Sequence, residues 1–149
     1  MDMTIKTLDR LGKATSTRIP VIAAVSNPQV QACVDAIDEV ILGAACSGVK
    51  VESTVVATGS ATPPADENAN RGNKWLMRFQ DGTNGKIFTY ELGTADNDQL
   101  PTPNSDFLDL TADAGLALKT ALDAVYESPY GNVGVLLTVQ QVNRATAGQ

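Results

Sequence analysis

Asp96-Asn97-Asp98 opens like a calcium-binding loop, with oxygen donors at the first and third positions. Leu100 and Pro101 then stand where the next oxygen ligand and the turn glycine belong, and no glutamate closes the run. The carboxylates read as a solvated loop, with calcium as a minor alternative. Gly82-Thr83-Asn84-Gly85-Lys86 suggests a phosphate loop but has two residues too few between its glycines, and Ile87 occupies the place of the magnesium-binding hydroxyl. A hairpin turn explains each of those residues. Asp106 and Asp109 could pair for acid-base work, but they flank Phe107-Leu108 in a segment that leads into a helix start. The chain has no histidine, which removes the commonest general base and metal ligand and both the Ser-His-Asp and Cys-His arrangements. Cys33 and Cys46 have no zinc or redox spacing and read as two buried thiols. The expectation is no enzyme, no cofactor and no metal.

The elements that would hold any site are those of one domain. A chain of 149 residues, 43% hydrophobic and 19% charged, can bury a core without staples. The formal charge is -6, yet residues 1–18 hold Lys6, Arg10, Lys13 and Arg18 against Asp2 and Asp9. The leader is therefore basic and the remainder acidic. Such a remainder repels phosphate backbones, which leaves a weak polyanion contact through the basic N-terminal arm as the only nucleic-acid reading. No apolar run is long enough to span a membrane, and residues 1–18 lack a signal-peptide pattern.

Ile19–Val25 reads as a strand ending at Asn27-Pro28, where Asn27 would cap a helix over 28–42. Its stripe is Val30, Cys33, Val34, Ile37, Val40 and Ile41. Val49–Thr58 alternates as one half-buried strand, followed by a long polar loop over 59–73. Four of the seven aromatics then fall on a hairpin: Trp75, Met77 and Phe79 share one face of the first strand, and Phe88, Tyr90 and Leu92 one face of the second. Asp81-Gly82 and Asn84-Gly85 supply its turn, which requires a positive φ at one glycine or both. After a second loop over 93–110, Thr111 would cap a helix with the stripe Leu118, Leu122, Val125 and Tyr126. A last strand places Val133, Val135, Leu137 and Val139 inward and Leu136 and Thr138 outward.

The order β-α-β-β-β-α-β predicts an α+β fold: a twisted, mainly antiparallel sheet of about five strands with both helices on one face. Residues 1–18 form an arm, 19–143 the domain and 144–149 a tail. Leu76, Arg78, Gln80, Ile87, Thr89, Glu91, Leu136 and Thr138 then face away from the helices, on a surface too apolar for plain solvent. The arm carries Ile5, Leu8 and Leu11 with Lys6, Arg10 and Lys13 among them, suited to an acidic neighbour.

A charged leader, two polar loops, the mixed sheet face and the tail Arg144 to Gln149 resemble, in general style, small bacteriophage and viral structural proteins such as coat or tail subunits. The helix over 28–42 departs from the single-stranded RNA phage coat, whose paired helices follow its sheet. The resemblance implies a self-assembling subunit located in a virion, whose partners are copies of itself. Its interface candidates are Ile5, Leu8, Arg10, Leu11, Lys13, Leu76, Ile87 and Leu136. The alternative is a small binding module, cytoplasmic, that grips its ligand between the 59–73 and 93–110 loops.

Overall fold

Asp2-Met3-Thr4-Ile5-Lys6-Thr7 alternates polar and apolar residues, which is the pattern of a strand with one face in a core. In the computed structural model, which describes residues 1–8, 14–40, 46–52, 54–57, 59, 73–93 and 105–143, it is one. Strand β1 (Asp2–Leu8) pairs antiparallel with β2 (Ala14–Pro20) on one side and β3 (Cys46–Val51) on the other. With β4 (Thr54–Ala57) they form a sheet of order β2-β1-β3-β4. Met3, Ile5 and Thr7 are fully buried. The arm expected over residues 1–18 is therefore corrected to two paired strands that supply one edge of a sheet, β2, and the inner strand beside it, β1. Deleting residues 2–17 would remove a core strand, not an appendage.

The second sheet is built on the aromatic hairpin. Strands β5 (Asn73–Asp81) and β6 (Ile87–Gly93) pair as the expected hairpin, with Phe79 opposite Phe88 and Trp75 opposite Leu92. Gly85 has φ 71°, the positive value that the turn requires. Three residues of β7 (Ser105–Phe107) form one edge, and β8 (Gly134–Asn143) lies between β5 and β7, giving the order β6-β5-β8-β7. The chain is thus α+β with two antiparallel sheets in place of the single five-stranded sheet. Two differences account for this. The leader contributes two strands, and Glu52, at φ 57°, turns the expected strand over 49–58 into the β3–β4 hairpin without a glycine or proline to announce it.

Helices α1 (Asn27–Val40) and α2 (Asp113–Asp123) pack on each other, α1 against β3 and β4 and α2 against β8. The α1 stripe is buried as its spacing predicts, at Val30, Cys33, Val34, Ile37 and Val40; Ile41 lies outside the described residues. Its cap is Ser26 and not Asn27. The Gln29 N–H donates to Ser26 Oγ at 3.4 Å, while Gln29 Oε1 accepts the Ser26 N–H at 2.9 Å, a reciprocal capping box. Thr111 caps nothing either. Its N–H and hydroxyl both donate to Asp109 Oδ1, at 2.8 and 2.5 Å, and Ala112 starts α2 with no side-chain cap. The Thr111 bonds hold the Asp109 carboxyl below the usual carboxylate range. Leu118, Leu122, Val125 and Tyr126 are all buried.

The two sheets join where the chain leaves β2, ahead of α1, and where it leaves α2. Val21 and Tyr126 form a β-bridge, the Ile22 N–H donates to the Val125 carbonyl at 2.9 Å, and the Glu127 N–H to that of Pro20 at 3.2 Å. Midway along β2 the Thr17 hydroxyl donates to the Glu91 carbonyl, which lays β2 beside β6.

Trp75 lies in the core with Ile37, Val40, Leu118 and Val139, around a void of about 10 Å3. It is 8% exposed, and its Nε1 finds no acceptor among the described residues. Native emission should therefore be blue-shifted, and Trp75→Ala should cost about 3–5 kcal/mol in a denaturant titration. Trp75→Phe should cost far less, because no indole hydrogen bond is lost. A solvent-like emission maximum would contradict the placement.

Candidate functional site

The last strand decides which surface the molecule offers. Val133, Val135 and Leu137 were expected inward but are 68%, 41% and 38% exposed, while Leu136, expected outward, is buried. The cause is a β-bulge. Thr138 pairs with Arg78 and Leu136 with Phe79, so Leu137 is an extra residue that resets the alternation. Asp123 on α2 fixes that irregularity: its Oδ1 accepts the Leu136 N–H at 2.7 Å, and its Oδ2 accepts from Lys119 Nζ at 2.7 Å. Lys119 Nζ also donates to the Leu136 carbonyl at 3.1 Å. A helix-borne ion pair thus grips both polar groups of the residue beside the bulge.

Register then assembles the outward face of the second sheet in three rows. Ile87, Gln80 and Val135 lie side by side, then Thr89, Arg78 and Thr138, then Glu91, Leu76, Gln140 and Phe107. Ile87 is 54% and Phe107 63% exposed, and Leu76 is half-buried. Arg78, at the centre, donates from Nη1 to Gln140 Oε1 at 2.8 Å. The surface mixes apolar Ile87, Val135, Leu76 and Phe107 with polar Gln80, Thr89, Thr138 and Gln140, with Arg78 at its centre and Glu91 on its edge strand.

Of the interface candidates, Leu76 and Ile87 are on this face. Leu136 is not, and Ile5 is buried within its own subunit; both are corrections. Leu8 ends β1, with its side chain outside the described part of the structure, and Arg10, Leu11 and Lys13 lie outside the described residues. So do Asp96, Asn97, Asp98 and most of the 59–73 and 93–110 loops that would hold a ligand. Val135, Leu137 and Phe107 were missed. The bulge hid the first two, and Phe107 read as part of a loop.

A second polar cluster sits at the hairpin turn. Asp81 is buried, and its Oδ1 accepts the Thr83 and Asn84 N–H groups at 2.8 and 3.0 Å. Ser128 Oγ donates to Oδ2, and Asn132 Nδ2 to both oxygens, at 3.3 and 3.1 Å. These donors, Ser128 foremost, hold the carboxyl down at about 2. Ser128 is itself buried and accepts from the Tyr130 and Asn132 N–H groups. With no histidine and no open approach, the cluster ties the β5–β6 turn to the segment before β8. Because the folded pKa lies below the unfolded value near 4, its contribution is complete above pH 4 and fades as pH falls toward 2. Asp81→Asn should therefore melt lower than wild type at pH 7, with the gap narrowing as pH falls from 4 toward 2. A gap independent of pH would show that the carboxylate charge is irrelevant.

Burial raises the Cys33 thiol to about 12, and its Sγ contacts the Ala121 carbonyl at 3.5 Å, so it is an unreactive core thiol. The side chain of Cys46 lies outside the described part of the structure. Among the described residues no group of three or more acidic or cysteine side chains could hold a metal ion, and no helix is long and apolar enough to cross a membrane. Set against known proteins, the chain matches no family, no curated protein and no solved structure.

Proposed function

We propose that this chain is a structural subunit that assembles with copies of itself, as coat or capsid-type proteins of virions and filaments do. One observation carries the reading: Ile87, Val135, Leu137 and Phe107 stand exposed on one sheet face together with a half-buried Leu76. Single exposed apolar residues are ordinary, but a set of them aligned by strand register marks a surface that another protein covers. The polar cluster at Asp81 offers no competing chemistry, since its donors and acceptors satisfy one another. A virion location and a polyanion contact through Arg10 and Lys13 belong to the same proposal.

Light scattering and negative-stain microscopy across a concentration series test it. Defined oligomers or particles are expected. A sharp 15.6 kDa monomer up to about millimolar concentration would sink the reading. Ile87→Lys and Val135→Lys, at exposed positions with little effect on folding, should each shift assembly to higher concentration while leaving circular dichroism unchanged.

A further inference from the structure

The opposite side of the molecule carries a groove that complements this face. Where α1 and α2 pack together they leave an open groove of about 830 Å3, floored by Ala36 and Ala117 with the exposed Leu116 beside them. Asp35 and Glu39, one turn apart on α1, and Asp113 on α2 bring three exposed carboxylates to it. No cation lines it. The nearest ammonium along either helix, that of Lys119, is bound to Asp123 and turned to the Leu136 carbonyl. The sheet face has a cation, Arg78, at its centre, with Ile87 and Val135 in the row on one side of it and Leu76 in the row on the other, while the carboxylate of Glu91 stands out on the edge strand β6.

Resting on the assembly reading above, we infer that the occupant of the groove is the outward face of the second sheet of another copy. Ile87, Val135 and Leu137 of one copy cover the alanine floor and Leu116 of the next, and the Arg78 guanidinium meets Asp35 and Glu39. Arginine suits the position. Its planar fork can keep the Gln140 bond and still offer donors to a carboxylate, and it is more weakly hydrated than an ammonium. The two surfaces differ, so the contact is head-to-tail: each copy presents one and accepts the other. Such a contact propagates into a ring or an open filament and does not close as a two-fold dimer. Charge placement of this kind sets register and partner choice, with apolar burial supplying most of the attraction.

Charge reversal tests it by sedimentation velocity. Arg78→Glu, and separately Asp35→Lys with Glu39→Lys, should each weaken self-association at least about tenfold with unchanged circular dichroism. The chain carrying all three substitutions should recover at least about tenfold over either. Wild-type association unaffected by both reversals would overturn this contact while leaving self-assembly standing, as would reversals that weaken association without mutual rescue. A wild-type chain that stays monomeric would overturn both.

Discussion

Tyr126→Ala should lower unfolding free energy by about 3–5 kcal/mol, among the largest losses any single side chain of this protein can give. Tyr126 is buried, stacked on Phe79 with centroids 4.0 Å apart and planes at 15°, and edge-on to Tyr90 at 6.0 Å. Its hydroxyl lies 3.1 Å from that of Tyr90. The backbone around it makes the bridge to Val21, so the ring fills the place where the two sheets are joined. Removing it leaves a hole next to a seam that has few other contacts to close it. Tyr126→Phe separates the two roles of the residue. It keeps the stack and loses one hydroxyl pair, so about 1 kcal/mol is expected. Burial pushes the phenol far above its usual value, and a raised acid pKa stabilises the fold only below the unfolded one. Stability should therefore fall as pH rises past about 10, less steeply in Tyr126→Phe. Equal denaturation midpoints for Tyr126→Ala and wild type would refute the placement of the ring.

What was legible in the sequence followed the strength of local patterns. The aromatic hairpin, its inward face and its positive-φ glycine were readable because Trp75, Met77 and Phe79 alternate without interruption and the turn residues are unambiguous. The helix stripes were readable for the same reason. The leader was misread because Ile5, Leu8 and Leu11 also fit a three-residue spacing, which hid the alternation of Met3, Ile5 and Thr7. Its partner Ala14–Pro20 carries Thr15, Ser16 and Thr17 at its middle, with Ile19 as its one large apolar side chain. The interface was half legible. Leu76 and Ile87 lie on regular strands, whereas the side on which Val135 and Leu136 fall depends on a bulge. That bulge is held by Asp123 and Lys119, a tertiary contact from another element that no local pattern in β8 announces. A one-residue offset moves every later side chain to the other face, so a single missed bulge inverted the surface.

Gly115→Ala should be at least as damaging as a core truncation, although it adds only one methyl group. An ideal Cβ at Gly115 would lie 1.7 Å from the Asp109 carbonyl oxygen and 3.2 Å from Leu108 Cγ. The first obstacle is backbone, which cannot swing aside as a side-chain tip can. Either the first turn of α2 or the segment from Leu108 to Thr111 must move. That segment is fixed to the sheet by the Leu108 N–H, which donates to the Val139 carbonyl at 2.8 Å, and is folded on itself by the bonds of Asp109 to Thr111. Moving α2 instead would pull Leu118 and Leu122 out of the core and loosen the grip of Asp123 on the bulge. Overpacking against a fixed backbone costs about 3 kcal/mol or more, and the alanine's better helix propensity returns under 1 kcal/mol. Ala117→Ser, two residues on and exposed, should stay within about 0.5 kcal/mol of wild type in the same denaturant titration. Because displacement of α2 also reshapes the groove beside Ala117 and Leu116, whatever folded Gly115→Ala remains should self-associate more weakly than wild type. A variant with unchanged midpoint would mean that α2 does not approach Asp109 as closely as the backbone places it.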